Sequence, residues 1–205
     1  GTDHGGVRRM RIGIDLGGTK TEIIALTESG VERLRHREPT PANDYEAILE
    51  LIADLVGLAE RSAGPAESVG IATPGAISPQ TGLIKNSNTL VLNGKPLDRD
   101  LADRLRRPVR LENDANCLVL SEVIDGAAAG AEVVFGAILG TGVGGGVAVR
   151  QQLITGHNRI AGEWGHNPLP WPRQDEYPGV TCYCGKSGCI ETYLSGPALV
   201  RDFRN

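Results

Sequence analysis

Three cysteines and one histidine form the densest group of reactive side chains in the sequence. Cys182, Cys184 and Cys189 lie within eight residues, and fifteen residues separate His166 from the first of them. Three thiolates and one imidazole make a closed tetrahedral set, which is typical of structural zinc and leaves no position for a reactive water. The pattern therefore predicts a zinc site that stabilises the fold. A redox cluster or unliganded thiols are the alternative.

A second group lies in residues 15–21, with the sequence DLGGTKT. Its glycines allow backbone N–H groups to turn toward an anion, and Asp15 stands at the end of a strand-like run. Gly13 and Gly18 have the spacing of a Walker A loop, but Thr19 stands where that loop has its lysine, and a strand pattern follows instead of a helix. The segment predicts a phosphate-binding turn; a plain hairpin turn is the alternative.

Residues 140–146, with the sequence GTGVGGG, repeat this design later in the chain. Two such turns could face each other across a cleft. The glycines at the first, third and sixth positions also satisfy the dinucleotide fingerprint G-x-G-x-x-G, with Glu163 near the expected acidic position. That fingerprint requires a helix immediately after the glycines, whereas residues 146–149 are strand-like. The context therefore disfavours NAD binding.

Several carboxylates could take part in catalysis or binding. Asp114, within the sequence ENDAN of residues 112–116, is either a helix N-cap or a base placed to deprotonate an attacking hydroxyl. Cys117 is expected to be a buried thiol of the core. Glu163 and Glu191 flank the cysteine cluster and could be solvated charges. Zinc would hold both of them in position to accept hydrogen bonds from sugar hydroxyls.

The elements that would position these groups are visible in the hydrophobic pattern. A unit of strand, glycine turn and strand occurs twice, over residues 10–26 and 133–149. A 3.6-residue periodicity predicts a helix from Asp44 to Gly64. Residues 151–192 are rich in proline turns and predict an irregular, metal-pinned insertion. Shorter elements are predicted as strands over 31–37, 69–75 and 109–111 and as helices over 97–105, after Asp114 and after Pro197.

Composition narrows the class of protein. The 205 residues contain 21 Lys and Arg against 25 Asp and Glu, a net charge of -4, so neither nucleic acid nor an anionic membrane is an expected partner. The hydrophobic fraction of 40% is that of a folded globular protein. The longest uncharged run, residues 133–149, is broken by glycines and is too short to span a membrane. Four cysteines with no apolar leader favour the cytoplasm.

The ends of the chain also suggest how it is organised. Residues 1–9 are expected to be a tail, with the fold starting at Met10. The first domain is placed at residues 10–125, and residues 126–205 are expected to begin a second domain that contains the zinc segment, residues 162–191. The sequence stops at Asn205 within a helical pattern, so this second domain is expected to be truncated.

Six motifs follow one another along the chain: IDLGGTKTE (14–22), ATPG (72–75), ENDAN (112–116), LGTGVGGG (139–146), GEWGHNPLPW (162–171) and CYCGKSGCIE (182–191). In this order they resemble the ROK family of bacterial sugar kinases and repressors. The branch they resemble most is fructokinase, or manno(fructo)kinase, with N-acetylglucosamine kinase and glucokinase as near relatives. The resemblance covers the chain from about Met10 to its end.

The resemblance implies an actin/hexokinase-like ATPase fold of two ribonuclease H-like α/β domains that bind MgATP and a hexose. It also implies a homodimer. Repressors of the family carry an N-terminal DNA-binding domain, for which the nine residues before Met10 leave no room. A sugar-binding protein without transfer activity is a further alternative for a truncated chain.

The resemblance assigns residues to roles. Asp114 matches the general base toward the hexose hydroxyl, and His166 serves both the zinc and the sugar. Asn86 and Asn93 are alternatives to Asn88 in the sugar-contacting set. The residues implied around the ATP phosphates and magnesium are Asp15, Gly17, Gly18, Thr19, Lys20, Gly140, Thr141, Gly142 and Gly144. Those implied around the sugar are Asn88, Asn113, Asp114, Glu163, His166 and Glu191.

Overall fold

The computed structural model describes residues 10–204. The predicted tail, residues 1–9, and the terminal Asn205 lie outside the described residues. The chain divides into two compact units, the first ending at Asp114 and the second beginning at Ala115. The sequence had placed the domain boundary eleven residues later, after residue 125.

The strands of the first unit are β1 (Met10–Leu16), β2 (Lys20–Leu26), β3 (Glu32–Pro39), β4 (Ala66–Thr73), β5 (Ala76–Ile77), β6 (Ile84–Lys85) and β7 (Val109–Asn113). Five of them form a mixed sheet with the order β3-β2-β1-β4-β7, and β5 and β6 form a separate pair. In the mixed sheet β1, β2 and β3 are successive antiparallel neighbours, while β4 and β7 run parallel to β1. The helices of the first unit are α1 (Tyr45–Ala63), α2 (Leu97–Leu105) and the 3-10 turn Leu90–Leu92. The predicted α/β class is confirmed.

The core of the first unit shows the two-residue period expected of a strand and the 3.6-residue period expected of a helix. Alternate residues of β1 are buried, among them Ile12 and Ile14. They form one core with the apolar face of α1, which includes Ile48 and Ile52. The Asp44 side chain caps α1 by accepting a hydrogen bond from the Ala47 N–H at 3.1 Å. Helix α1 thus covers one face of the sheet.

The second unit repeats this antiparallel arrangement of three strands after helix α3 (Asp114–Ile124). β8 (Val133–Leu139), β9 (Val143–Val149) and β10 (Gln152–Leu153) form an antiparallel sheet of order β10-β9-β8, equivalent to β3-β2-β1. The repeated unit of strand, glycine turn and strand is therefore confirmed. The helices are α3 (Asp114–Ile124), α4 (Glu191–Leu194) and α5 (Gly196–Arg204), with α3 starting at the division between the units.

Strand β9 starts at Val143, three residues before the strand-like run 146–149, so Gly144 and Gly145 lie within the strand together with Gly146. The reason is close packing. A Cβ on Gly146 would lie 3.0 Å from the Ala115 carbonyl oxygen and from the Val119 side chain of α3. Glycine therefore lets α3 approach the sheet. Among residues 10–204, no helix is both long and apolar enough to cross a membrane.

Candidate active site

The first glycine turn, residues 17–19, joins β1 to β2. The Gly17 N–H donates to the Lys20 carbonyl at 3.0 Å, and a Cβ on Gly17 would lie only 2.8 Å from that oxygen. Only glycine fits this close approach. The turn thus brings Gly17, Gly18, Thr19 and Lys20 together at the end of β1, where Asp15 lies.

Thr40, which the sequence analysis did not identify, donates two hydrogen bonds to this turn. Its hydroxyl donates to the Gly17 carbonyl at 2.8 Å, and its backbone N–H donates to the Thr19 carbonyl at 2.9 Å. The fully buried Thr21 hydroxyl lies 2.8 Å from the Thr40 hydroxyl. Because Thr40 donates to Gly17, Thr21 is the donor in that pair. The flanking prolines at 39 and 41 marked Thr40 only as part of a loop.

Asp15 lies directly opposite Glu22 in the β1–β2 ladder. Burial, followed by the charge of Glu22, raises the pKa of Asp15. Two arginines of β3 compensate Glu22: Arg37 donates to it at 2.6 Å and Arg35 at 2.5 Å. These hydrogen bonds lower the pKa of Glu22. Two carboxylates and two arginines are therefore arranged beside the first glycine turn, with Asp15 the one that carries no arginine hydrogen bond among the contacts described.

The loop after β6 carries the predicted sugar contact Asn88. The Asn93 side chain closes this loop, accepting from the Ser87 N–H at 2.9 Å and donating to the Ser87 carbonyl at 2.8 Å. Asn88 is exposed, whereas Ser87 and Thr89 on either side of it are buried. The Asn93 side chain is therefore used in closing the loop, whereas Asn86, the other alternative, is exposed like Asn88.

Asn113 and Asp114 lie where β7 passes directly into α3, with no intervening loop. The Asn113 amide is buried and donates to the Gly75 carbonyl at 3.1 Å. Gly75 has a φ of +81°, and a Cβ there would lie 2.4 Å from the Lys85 carbonyl. Asn113 thus fixes the loop of the ATPG motif. Asp114 is half-buried and is the first residue of the helix.

The second glycine turn, residues 140–142, joins β8 to β9. The Gly140 N–H donates to the Gly142 carbonyl at 2.9 Å, and the Gly140 carbonyl accepts from the Gly196 N–H at 2.8 Å. The turn is followed by a strand, as predicted, and not by the helix that a dinucleotide fingerprint requires. Gly144, which the resemblance placed around the nucleotide, lies inside β9 instead of in the turn.

Glu191 contacts this second turn. It is buried, and its carboxylate accepts a hydrogen bond from the Val143 N–H at 2.8 Å. The same oxygen would lie 2.8 Å from a Cβ on Gly142, so any larger residue there would displace the Glu191 carboxylate. The family resemblance implied a sugar contact for Glu191, but the hydrogen bond between Glu191 and the Val143 N–H was not predicted from the sequence. Glu163 is half-buried in the neighbouring segment, where its backbone N–H donates to the Ile160 carbonyl.

The structure brings the four predicted metal ligands together. The ligand atoms of His166, Cys182, Cys184 and Cys189 all lie within 4.8 Å of one another. The thiols of Cys184 and Cys189 are 3.6 Å apart, and Nδ1 of His166 is 3.5 Å from the Cys182 thiol. Ligand atoms of a tetrahedral zinc site with Zn–S of about 2.3 Å and Zn–N of about 2.0 Å are separated by about 3.5–3.8 Å. The donor set and its spacing therefore fit zinc.

The second ring nitrogen of His166 is also engaged. Nε2 lies 3.0 Å from the Tyr183 hydroxyl, and the two rings meet edge to face. This contact orients the imidazole so that Nδ1 points to the thiols, in the manner of an outer partner of a metal ligand. The resemblance implied that His166 also contacts the sugar; in the structure, Tyr183 is the partner of Nε2.

The thiols differ in acidity. Burial, followed by hydrogen bonds with the other two thiols, raises the pKa of Cys189 to about 12. Burial also raises the pKa of Cys182. At Cys184 burial is outweighed by hydrogen bonds from the Lys186 N–H and the neighbouring thiols, so that its pKa is lowered. A metal binds thiolates, so binding to this cluster releases protons and strengthens as the pH rises.

The mixed sheet, the repeated unit of strand and glycine turn, and the Cys₃His cluster together define an α/β protein with the hexokinase-like architecture of sugar kinases and their relatives. The chain belongs to the ROK family, whose family model matches residues 11–205.

Relatives of known name support this assignment. The chain is 44% identical to an N-acetyl-D-glucosamine kinase of Pectobacterium atrosepticum over 191 residues, which cover 91% of this chain and 63% of that protein. A ROK hexokinase of Thermus thermophilus superimposes with a TM-score of 0.77 at 36% identity, over 95% of this chain and 63% of that one. A ROK glucokinase of Streptomyces griseus, solved with glucose and AMPPNP, gives 0.81 at 33% identity, over 94% and 59%. The chain thus spans about three fifths of the length of these relatives.

Proposed function

We propose that the protein is an ATP-dependent hexose kinase that transfers the γ-phosphoryl group to a sugar hydroxyl. The observation that carries this proposal is the solved ROK glucokinase with glucose and AMPPNP, which has the same fold as 94% of this chain. The paired glycine turns and the carboxylate of Asp114 supply groups that phosphoryl transfer needs.

The glycine turns would bind the nucleotide. The first turn, residues 17–20, and the second turn, residues 140–142, would each offer phosphate a threonine hydroxyl, Thr19 or Thr141, and backbone N–H groups other than those of Gly17 and Gly140, which bond within the turns. Asp15 would hold magnesium, which would neutralise charge on the phosphate oxygens. Gly144 lies in β9, two residues after the second turn, so it would support the turn and would not itself contact the phosphates.

Asp114 would act as the general base. It accepts the proton of the attacking hydroxyl, proposed to be O6, while that oxygen forms a bond to the γ-phosphorus and the bond from phosphorus to the β,γ-bridging oxygen breaks. The products are the sugar phosphate and ADP. Asn88, Asn113, Glu163, His166 and Glu191 complete the proposed sugar-binding set.

The Cys₃His cluster would hold a structural zinc ion. Four protein ligands close the coordination sphere, so the ion would stabilise the segment that carries Glu163 and Glu191 and would not activate a water. Both glutamates lie within three residues of a ligand, His166 and Cys189 respectively.

Two hexoses are candidates, each supported by a different observation. The relatives of 41–44% identity are named N-acetyl-D-glucosamine kinases, which favours that sugar. The six sequence motifs taken together resemble the fructokinase branch most, which favours fructose, with mannose as a further substrate and glucose as the substrate of another near relative. A homodimer in the cytoplasm stays a prediction from the family resemblance and the composition.

The test is ADP production from MgATP with fructose, mannose, glucose and N-acetyl-D-glucosamine, each with the 205-residue chain and with a version extended to the length of its relatives. We expect activity in the extended protein, and the ratio of kcat/KM between fructose and N-acetyl-D-glucosamine decides between the two branches. Binding of a hexose without ADP production would instead identify a sugar-binding protein, and activity on none of the four would contradict the proposal.

A further inference from the structure

Trp164 lies in the loop between Gly162 and His166, and its side chain reaches strand β9. The indole N–H donates to the Gly144 carbonyl at 2.7 Å. The ring also meets Phe135 of β8 edge to face, with the ring centres 5.9 Å apart. The side chain thus contacts both strands that flank the second glycine turn.

The backbone around this contact has no space for a Cβ at two glycines. A Cβ on Gly145 would lie 2.8 Å from Cδ1 of Trp164, and a Cβ on Gly162 would lie 2.1 Å from the Gly145 carbonyl oxygen. Glycine at both positions lets the Trp164 loop lie directly on β9. The indole therefore has a defined place on the strand.

The hydrogen bond acts close to the second glycine turn. Gly144 follows the turn by two residues, and its neighbour Val143 donates its N–H to Glu191. The N–H of Val143 and the carbonyl of Gly144 are thus both held by side chains from the segment that contains the Cys₃His cluster. These two hydrogen bonds therefore fix the backbone conformation of the residues that directly follow the turn.

We propose that Trp164 is a positioning residue for the second glycine turn, holding it in the conformation that binds the nucleotide phosphates. The inference rests on the proposed function, because that function assigns the turn to ATP. Trp164 would act through Gly144 and would touch neither nucleotide nor sugar.

The test compares Trp164→Phe with Trp171→Phe in the protein extended to the length of its relatives. Phenylalanine keeps an aromatic ring and removes the N–H donor. Trp171 is 94% exposed in the same segment and provides the matched control. We expect Trp164→Phe to raise KM for MgATP about fivefold, the effect of losing one hydrogen bond of about 1 kcal/mol. KM for the sugar and the zinc content should stay within twofold of the wild type, as should all values for Trp171→Phe.

Amide hydrogen exchange gives a second readout that does not depend on catalysis. Peptides covering residues 139–145 should exchange faster in Trp164→Phe, while peptides covering 182–191 should not change. Unchanged exchange and unchanged KM for MgATP would overturn the inference, as would equal loosening of both regions with loss of zinc. A wild-type protein that makes no ADP would contradict the proposed function, and exchange would still decide whether Trp164 orders the turn.

Discussion

The carboxylate of Glu191 accepts a hydrogen bond from the Val143 N–H at 2.8 Å, and this bond joins the cysteine cluster to the second glycine turn. Glu191 follows the ligand Cys189 by two residues, and Val143 follows Gly142 directly. The Glu191 N–H also donates to the Gly165 carbonyl next to His166, so Glu191 is bonded to a second part of the cluster segment. Glu191 therefore connects the cluster directly to the residue that follows the second glycine turn.

Loss of one thiol should release the metal and loosen this part of the chain. Cys189 is almost fully buried and its thiol lies 3.6 Å from that of Cys184. We expect Cys189→Ser to lose bound zinc and to melt at a lower temperature, because binding free energy at a structural zinc site contributes to folding. Metal analysis and thermal unfolding measure both effects.

The matched control for this experiment is Cys117→Ser, which replaces the one cysteine outside the cluster. It should keep a full zinc content. A Cys189→Ser protein with the wild-type zinc content and the wild-type midpoint would contradict a structural metal site.

The Thr40 hydroxyl should matter for the first glycine turn. Thr40→Val keeps the shape of the side chain but leaves the Gly17 carbonyl without this donor and the buried Thr21 hydroxyl without its acceptor. We expect a loss of about 1–3 kcal/mol in the free energy of unfolding, because a buried polar group left unpaired is costly. Urea unfolding measures the change. Thr40→Ser keeps the hydroxyl and should retain most of the stability; equal losses in the two variants would point to the methyl group instead.

Glu22 should make the stability of the first unit depend on pH. Hydrogen bonds from Arg37 and Arg35 lower the pKa of Glu22 in the folded protein. The ionised carboxylate therefore stabilises the fold fully above the unfolded pKa of about 4.3, and this stabilisation is lost as the pH falls through the lower pKa of the folded state. Glu22→Gln should therefore be less stable than the wild type near pH 7. The difference in unfolding free energy should shrink toward pH 3.

Urea unfolding at pH 7, 5, 4 and 3 tests this dependence. Glu28→Gln, an exposed change in the turn after β2, is the control and should not alter the pH profile. A difference between Glu22→Gln and the wild type that stays constant down to pH 3 would show that the ionised carboxylate does not stabilise the strand pair.

The sequence predicted those features that depend on local pattern. The periodicity of α1, the caps at Asp44 and Gly64, and the Cys₃His spacing are written in neighbouring residues, and each corresponds to an observed element or cluster. The contacts of Thr40 and Trp164 could not be predicted in this way. Thr40 bonds to a residue 23 positions away and Trp164 to one 20 positions away, so only the folded chain brings each pair together.

The glycines of residues 140–146 show a second limit of sequence reasoning. The sequence pattern predicts one glycine turn here, and the family resemblance implies that Gly140, Gly142 and Gly144 all surround the phosphates. In the structure Gly140 and Gly142 form the turn, whereas Gly144 to Gly146 lie in β9, where Trp164 and α3 pack against the strand. A glycine needed for a turn and a glycine needed for close packing look the same in a sequence, because both reflect the absence of a Cβ.

Asp114→Asn should separate binding from catalysis. The amide has the size of the carboxylate but cannot accept the proton of the attacking hydroxyl, so kcat should fall about 10²–10⁴-fold, the range of general base catalysis. The fold and the zinc content should not change, because Asp114 lies outside the cluster and the substitution is isosteric. Steady-state kinetics with the preferred hexose, in the protein extended to the length of its relatives, measures the effect. Asp125→Asn, just beyond the other end of α3, is exposed and should keep wild-type turnover. Near-normal kcat in Asp114→Asn would remove Asp114 from the role of base and leave it as a residue of the helix start.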